Sequence, residues 1–425
     1  MNELSHPIHD FKYKDRELCC EDVRVSSIVE KTGTPAYIYS YTTLVEHYRK
    51  IAAAFKPLDP VICFAMKANG NLAVLKALAG EGAGFDIVSG GELRKAKLIG
   101  ADMQKVVFAS VGKTDEEILL AIQAGILLFN VESLPELENI NRIAGGERKK
   151  VKIALRINPD IDAPTHDKIN TGSLKKKFGI DLATATKIFL SRAKYSFVSL
   201  RGVHIHIGSQ ITEGAPFITA IKKALAFIDD LAAQGVIIEY FDIGGGLGII
   251  YKDETPQNAL DYARKVVPLF KGRTLRLIME PGRFIVGNAG IFVTRKLYTK
   301  DNGLKKFMIV DAGMNDLVRP SMYDAHHEII PLKKSGIRKI VCDVVGPVCE
   351  SADIFAHDRQ VPDIKDGAYL ALLSAGAYGY AMASNYNARP RPVEVMVKGR
   401  AWDIIRERET FKDLVRGSYI PEYLK

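Results

Sequence analysis

Cysteine is scarce in this chain: five in 425 residues, at Cys19, Cys20, Cys63, Cys342 and Cys349. They follow no pairing pattern and include no C-x-x-C, which speaks for a reducing compartment and against a disulfide scaffold or a thiolate metal site. No metal site is expected. No apolar run approaches the about 18–20 residues that cross a bilayer. The first stretch, MNELSHPIHDFKYKDREL, is too polar and charged for a secretory signal. A cytoplasmic, soluble protein is therefore expected, with no membrane partner. Internal repeats and low-complexity segments are also missing. The formal charge of +9 is unbalanced, but the basic residues are scattered. The densest run, Lys175-Lys176-Lys177, is short and not interleaved with aromatics, as a solvated surface has it and a nucleic-acid face does not.

What the chain does have is a beat. Eight short β-branched or aromatic runs recur from about residue 60: VICFAMK, GFDIVS, KVVFAS, LLFNVE, KIALRIN, GVHIHIG, YFDIGGG and LRLIMEPG. Amphipathic stretches such as NLAVLKALAGEGA, TDEEILLAIQAG and FITAIKKALAFIDDLAAQG lie between them, several stopped by a glycine. Eight parallel units in this span predict an α/β chain with a (β/α)8 barrel. The competing open, doubly wound sheet would bring an early G-x-G-x-x-G turn, and none is there. After about residue 290 the strands IFVTRKLYT, KFMIVDAG, RKIVCDVVG, YLALLSAG and VEVMVKG follow with little helix between them, which predicts a C-terminal antiparallel β domain. The first 35 residues, with ELCCEDVRVSSIVEK, can add a strand to either domain.

One octapeptide poses the chemical question. In C-F-A-M-K-A-N-G, Lys67 closes an apolar run, where an ammonium is costly unless it is paired or loses its proton. Barrel enzymes carry their working groups at the C-terminal ends of strands. The polar residues there are Lys67, Asp86, Arg156, His206 with Ser209, the Gly244–Gly248 run, and Glu280 with Arg283. Each alone has a plain structural explanation; together they fall at one end of one barrel. A desolvated lysine forms a Schiff base. Bare backbone N–H groups of a glycine turn bind phosphate. An imidazole lies flat on a heteroaromatic ring, and a carboxylate keeps a pyridine nitrogen protonated. The set describes a site for pyridoxal 5′-phosphate.

The strings F-A-M-K-A-N, H-I-H-I-G-S-Q, D-I-G-G-G-L-G-I, E-P-G-R-F-I-V, D-A-G-M-N-D-L-V-R-P-S-M-Y-D-A, C-E-S and G-A-Y-G-Y-A-M-A-S-N-Y-N resemble the diaminopimelate decarboxylases. These are fold-type III pyridoxal-phosphate enzymes of the alanine racemase and ornithine decarboxylase group. The resemblance runs in order from about residue 10 to the C-terminus. It implies that residues 1–35 join the β domain (286–425), with the barrel at 36–285. It implies that Lys67 carries the cofactor covalently and that His206 stacks on its ring. Ser209, Gly245, Gly246, Gly248 and the start of Glu280-Pro281-Gly282-Arg283 then hold the phosphate, Glu280 pairs with the ring nitrogen, and Asp86 and Arg156 steady the lysine and the phenolate side.

On the substrate side the resemblance implies that Arg283, Arg319 and Tyr323 fix the distant carboxylate, a task that suits a guanidinium. Cys349 returns the proton, Glu350 takes the distant ammonium, and Tyr378 touches phosphate and substrate. The C-E-S loop serves the neighbouring subunit of a homodimer, so the sites are shared. The reaction implied is decarboxylation of meso-2,6-diaminopimelate to L-lysine, the last step of lysine biosynthesis. Positive groups at the far end accept a second carboxylate and reject a diamine precursor, which would leave a guanidinium buried and unpaired. The chain departs from the family at Ala352, where glycine commonly follows C-E-S. The alternatives are a decarboxylase for ornithine, arginine or carboxynorspermidine, a racemase with Tyr378 or Cys349 as second base, and an inactive homologue that only binds a partner.

Overall fold

The computed structural model describes residues 10–161, 177–334 and 338–425; Lys175 and Lys176 of the basic run lie outside them. The chain divides into two compact units, one of Leu44–Val286 and one of the residues up to Thr43 with Gly287–Lys425. None of the described helices is long and apolar enough to cross a membrane.

The first unit is a closed barrel of eight parallel strands. They are Val61–Ala65, Gly84–Ile87, Val106–Phe108, Leu128–Val131, Val151–Arg156, Val198–His204, Tyr240–Asp242 and Arg276–Met279. The ring closes where Ile278 and Met279 pair with Val61 and Ile62. All eight apolar runs of the sequence supply one strand each. Strands buried on both faces need no polar alternation, and Val61–Ala65 is buried at every position.

Side-chain caps mark where several helices start. Asn71, Ser89, Ser133, Asp181 and Asn258 each accept a backbone N–H from the first turn of the helix that follows, satisfying donors the helix leaves unpaired. Thr114 and Glu117 form a reciprocal capping box ahead of Asp115–Ala124. Apolar spacing then turns one face inward: Leu137, Ile140, Ile143 and Ala144 are the buried residues of Leu134–Gly146.

The second unit is built on a nine-stranded sheet. Along its main path run Ile354–Pro362, Lys339–Val345, Lys306–Val310, Gly290–Asp301, Ala36–Ser40, Val393–Lys398 and Ala401–Arg406. Tyr369–Leu372 also pairs with Gly290–Asp301 and links Ile329–Pro331. Most pairs are antiparallel, but Lys306–Val310 runs parallel to Lys339–Val345, and Ala36–Ser40 parallel to Val393–Lys398. Phe11–Lys14, Glu17–Cys20 and Val23–Arg24 make a small antiparallel sheet, and Phe11, Leu18 and Cys20 enter the same core as Ile38, Ile291 and Val395.

The N-terminal segment thus packs in this unit. The boundary expected at residue 36 differs from the structure, because the buried run Ala36–Ser40 is a central strand of the β sheet and the barrel unit starts at Leu44. Ile354–Pro362 escaped the sequence reading for a physical reason. It lies at the end of the sheet, and its middle residues His357 and Asp358 are exposed, so no apolar run announces it.

Lys113 braces the barrel's strand ends. Its side chain has no solvent exposure, and its ammonium donates to the Ser110 and Asn130 carbonyls, each at 2.8 Å, and to Glu136 Oε1 at 2.5 Å. Lys113→Ala would leave a buried carboxylate without its cation and should cost about 3–5 kcal/mol. Urea unfolding checks this, and replacing both partners by methionine should recover most of the loss.

Candidate active site

The register of two neighbouring strands sets the central pair. Ala65 lies opposite Asp86 in the ladder, and the chain then tightens into a short turn at Met66–Ala68. This carries the Lys67 ammonium to 2.6 Å from Asp86 Oδ2. The carboxylate is fully buried while the lysine side chain keeps 36% of its exposure, so the amine stays reachable. Burial, then the neighbouring Glu280, pushes the Asp86 carboxyl up to about 7 despite the lysine. Asp86 Oδ1 is buried with no hydrogen-bond partner.

Two strands along the barrel, just past Arg276–Met279, a second buried carboxylate behaves oppositely. Asn130 Nδ2 donates to Glu280 Oε1 at 2.9 Å and to Asp242 Oδ2 at 3.0 Å. His204 Nε2 lies 3.4 Å from Glu280 Oε2. Burial by itself pushes Glu280 up, but His204 and Lys67 more than reverse it and hold the group below the usual carboxylate range. Asp242, buried and facing Glu280, is raised well above its ordinary value. Two carboxyls sharing one amide thus divide the roles, with Glu280 charged and Asp242 neutral. His204, Asp242 and Glu280 bring three ligand-type atoms within 4.8 Å, yet Asn130 already bonds an oxygen of each carboxyl.

His206 follows two residues after His204. Its Nδ1 accepts from the Gly245 N–H at 3.2 Å. Burial, followed by the charges of Arg156 and Lys67, holds the imidazole well below its ordinary value, so the ring is neutral at pH 7. Two glycines are forced by close approach: a Cβ on Gly245 would lie 2.1 Å from the Glu280 carbonyl oxygen, and one on Gly246, at φ +111°, 2.2 Å from that of Gly208. The turn there presents no side chain, although the Gly245 N–H is already engaged by His206. Gly248 donates its N–H to the Ile211 carbonyl at 3.0 Å. Pro281 accepts from Ala65 at 3.1 Å, and a Cβ on Gly282 would press Ala65 and Ala68 at 3.1 Å. Those contacts pack the last barrel strand's end against the lysine turn.

Two arginines complete this group. Arg283 donates to the Tyr251 hydroxyl at 2.6 Å and to Ser209 Oγ at 3.2 Å. Arg156 pairs with Glu132 at 2.9 Å, reaches the His206 carbonyl at 3.4 Å and covers the Phe178 ring. The strand-end rule therefore brings Lys67, Asp86, Arg156, His206, Ser209, Glu280, Arg283 and the glycine turn together in one unit. It missed their partners Asn130, Glu132, His204, Asp242 and Tyr251. The first four sit in the same strand strings and carried the same signal, polar side chains at the ends of apolar runs.

The remaining candidates belong to the β unit. Arg319 opens the short helix Arg319–Tyr323 and is buried. Its Nη1 lies 2.8 Å from His327 Nε2, while His327 Nδ1 meets the Leu373 carbonyl at 2.7 Å. A guanidinium only donates and a carbonyl only accepts, so His327 is the neutral Nδ1–H tautomer. Sequence reading missed that histidine. Cys349 and Glu350 are exposed, and the Cys349 N–H donates to Asn387 Oδ1 at 2.8 Å. The other four cysteines are buried. Tyr378 adopts φ 56°, a left-handed backbone unusual for a bulky residue. Ala352, the departure from the family pattern, is not among the positive-φ residues, so its methyl costs no backbone strain.

Comparison with known proteins agrees with this chemistry. Residues 41–287 match the family model described as "Pyridoxal-dependent decarboxylase, pyridoxal binding domain". Diaminopimelate decarboxylase of Aquifex aeolicus is 46% identical over 408 residues, covering 96% of this chain and 97% of its own length. The crystal structure of diaminopimelate decarboxylase from Helicobacter pylori, complexed with L-lysine, superposes with a TM-score of 0.89 at 41% identity, covering 92% of this chain and 98% of that one. The M. jannaschii diaminopimelate decarboxylase, also with L-lysine, gives a TM-score of 0.93 at 39% identity over 97% and 98% of the two chains.

The raised Asp86 carboxyl has a measurable consequence. Its folded value of about 7 exceeds an unfolded value of about 3.9. Between them the folded state binds more protons, so this group's contribution to stability falls as pH rises through that window. For the protein stripped of cofactor, Asp86→Asn should therefore raise the melting temperature at pH 8 but not at pH 3.5, while weakening cofactor binding. Thermal melts at the two pH values and a cofactor titration check this.

Proposed function

The chain belongs to the diaminopimelate decarboxylases, a family of pyridoxal-dependent decarboxylases, and from that premise we propose how its residues divide the work. The enzyme is a carboxy-lyase that converts meso-2,6-diaminopimelate to L-lysine and carbon dioxide with pyridoxal 5′-phosphate, the last step of lysine biosynthesis.

The residues present suit that cofactor. A reachable amine stands beside a buried carboxylate at Lys67 and Asp86, a turn without side chains lies at Gly245–Gly246, and a buried carboxylate held in its charged form stands at Glu280. Lys67 would hold the aldehyde carbon. Ser209, Gly245, Gly246, Gly248 and the Glu280-Pro281-Gly282-Arg283 stretch would hold the phosphate, and Glu280 the ring nitrogen. When bound, the cofactor supplies an electron sink for the bond to the departing carboxylate. Glu280, kept anionic against its own burial by His204 and Lys67, keeps a proton on that nitrogen. A neutral His206 offers a flat face with no charge to compete with Glu280. Asp86 orients the lysine amine, and Arg156, fixed by Glu132, steadies the phenolate side.

Arg283, Arg319 and Tyr323 take the substrate's distant carboxylate and Glu350 its distant ammonium, with Tyr378 beside them. Cys349 returns a proton to the carbon that has lost carbon dioxide. The C-E-S loop completes the site of a second copy, so the working form is a homodimer in the cytoplasm. The observation that carries the reading is the Lys67–Asp86 pair at the end of two adjacent barrel strands. An inactive binding homologue is disfavoured because such proteins usually lose cofactor ligands, whereas Lys67, His206, Glu280 and Cys349 are all in place here.

Purified enzyme should release carbon dioxide from meso-diaminopimelate and none from L-ornithine or L-arginine. Lys67→Ala should abolish turnover and also the near-visible absorbance band that borohydride bleaches in the parent. Mixing Lys67→Ala with Cys349→Ala protein should restore part of the activity. Complete failure of that rescue overturns the shared site.

A further inference from the structure

Four residues past the exposed cysteine, Asp353 is buried at 3% exposure. Its Oδ1 accepts the Met314 N–H at 2.6 Å and its Oδ2 the Val348 N–H at 2.6 Å. One carboxylate thus bonds two chain segments. Met314 belongs to the D-A-G-M-N-D-L-V-R stretch that leads into Arg319, and Val348 immediately precedes Cys349 and Glu350.

The approach is close enough to require glycine beside it. A Cβ on Gly346 would lie 2.4 Å from Asp353 Oδ2, and one on Gly313 3.2 Å from the same atom. Backbone bonds reinforce the knot, from Asp353 N–H to the Glu350 carbonyl and from Gly346 N–H to the Asp353 carbonyl, each at 3.0 Å. A second tie runs parallel to it, Ser321 Oγ to the Ala352 carbonyl at 2.6 Å. Between these anchors Cys349, Glu350, Ser351 and Ala352 are all exposed. Within its own chain such a loop has little packing to fix it, so its position depends on the hydrogen bonds at its ends and on that of the Cys349 N–H to Asn387.

We infer that Asp353 is a positioning residue that locks the Cys349–Glu350 loop to the turn carrying Arg319, so that one chain's groups for substrate binding and for proton return move as one body. The inference rests on the roles given above to Arg319, Cys349 and Glu350. With those roles, the tie joins what a subunit gives through Arg319 to what it gives through Cys349. Asparagine keeps the shape of Asp353 but turns one acceptor into a donor facing an N–H, which breaks one side of the knot.

The test uses the holoenzyme with Asp353→Asn and, as a variant that removes only the surface tie, Ser321→Ala. With four cysteines buried, iodoacetamide reads Cys349 alone, and its alkylation should become several-fold faster in Asp353→Asn and faster to a lesser degree in Ser321→Ala. Displacement of the proton donor should lower kcat for meso-diaminopimelate about 10- to 100-fold. The solvent deuterium effect on kcat should grow as proton return becomes the slow step. A simple loss of folded protein moves neither the isotope effect nor the alkylation rate of the remaining folded enzyme. Parent-like alkylation in both variants overturns the inference, and so does parent-like kcat with an unchanged isotope effect in Asp353→Asn. If Asp353→Asn fails to fold, Ser321→Ala decides by the same two readouts. Full activity in Cys349→Ala overturns the role given to that cysteine and not the tie, which the alkylation rates read without recourse to activity.

Discussion

A lysine ammonium 2.6 Å from a carboxylate with no solvent exposure is the constraint around which the barrel's chemistry is arranged. The carboxylate charge alone would be expensive at that depth. The pair exists because strand register sets Ala65 against Asp86 and the turn after Ala65 is short. Leaving Lys67 partly exposed keeps it available to a ligand, and full burial of Asp86 fixes its partner. A site that must hold an amine ready for covalent chemistry thus draws its geometry from a β-ladder, among the most rigid parts of the fold.

Around that pair the barrel manages several buried ionisable groups by giving each a different environment. Asp86 is raised to about 7 and Asp242 well above its ordinary value, while Glu280 is lowered. The difference follows from neighbours, since all three are buried. Glu280 has His204 and Lys67 on its side, whereas Asp242 faces Glu280 itself. Asn130 bridges the two carboxyls with a single amide nitrogen. Packing three carboxyls as three anions would be untenable, and the arrangement leaves negative charge where a protonated ring nitrogen has use for it.

The barrel was largely legible because its period is local. Each of the eight runs reports its own burial, and helix starts are written in single residues such as Ser89, Thr114 and Ser133. The β unit was less so. Ala36–Ser40 is a strand of that sheet only because Gly290–Asp301 and Val393–Lys398, both hundreds of residues later, receive it on either side. Ile354–Pro362 lacks an apolar run because it lies at the sheet's end. Site residues divide the same way. Lys67 stands out as a charge in an apolar run, while Asn130 acquires meaning only from Glu280, 150 residues away.

By itself the sequence determined the order of elements, the ends of the strands and the set of reactive side chains, because burial periodicity, capping and charge in apolar surroundings act over a few neighbouring residues. Tertiary structure alone decided which carboxyl carries charge, which arginine is held by which acid, and that Asp353 bonds two separate loops. Those outcomes depend on distances across a closed sheet or between strand connections, where electrostatics and hydrogen bonding act through space with no regard for separation along the chain.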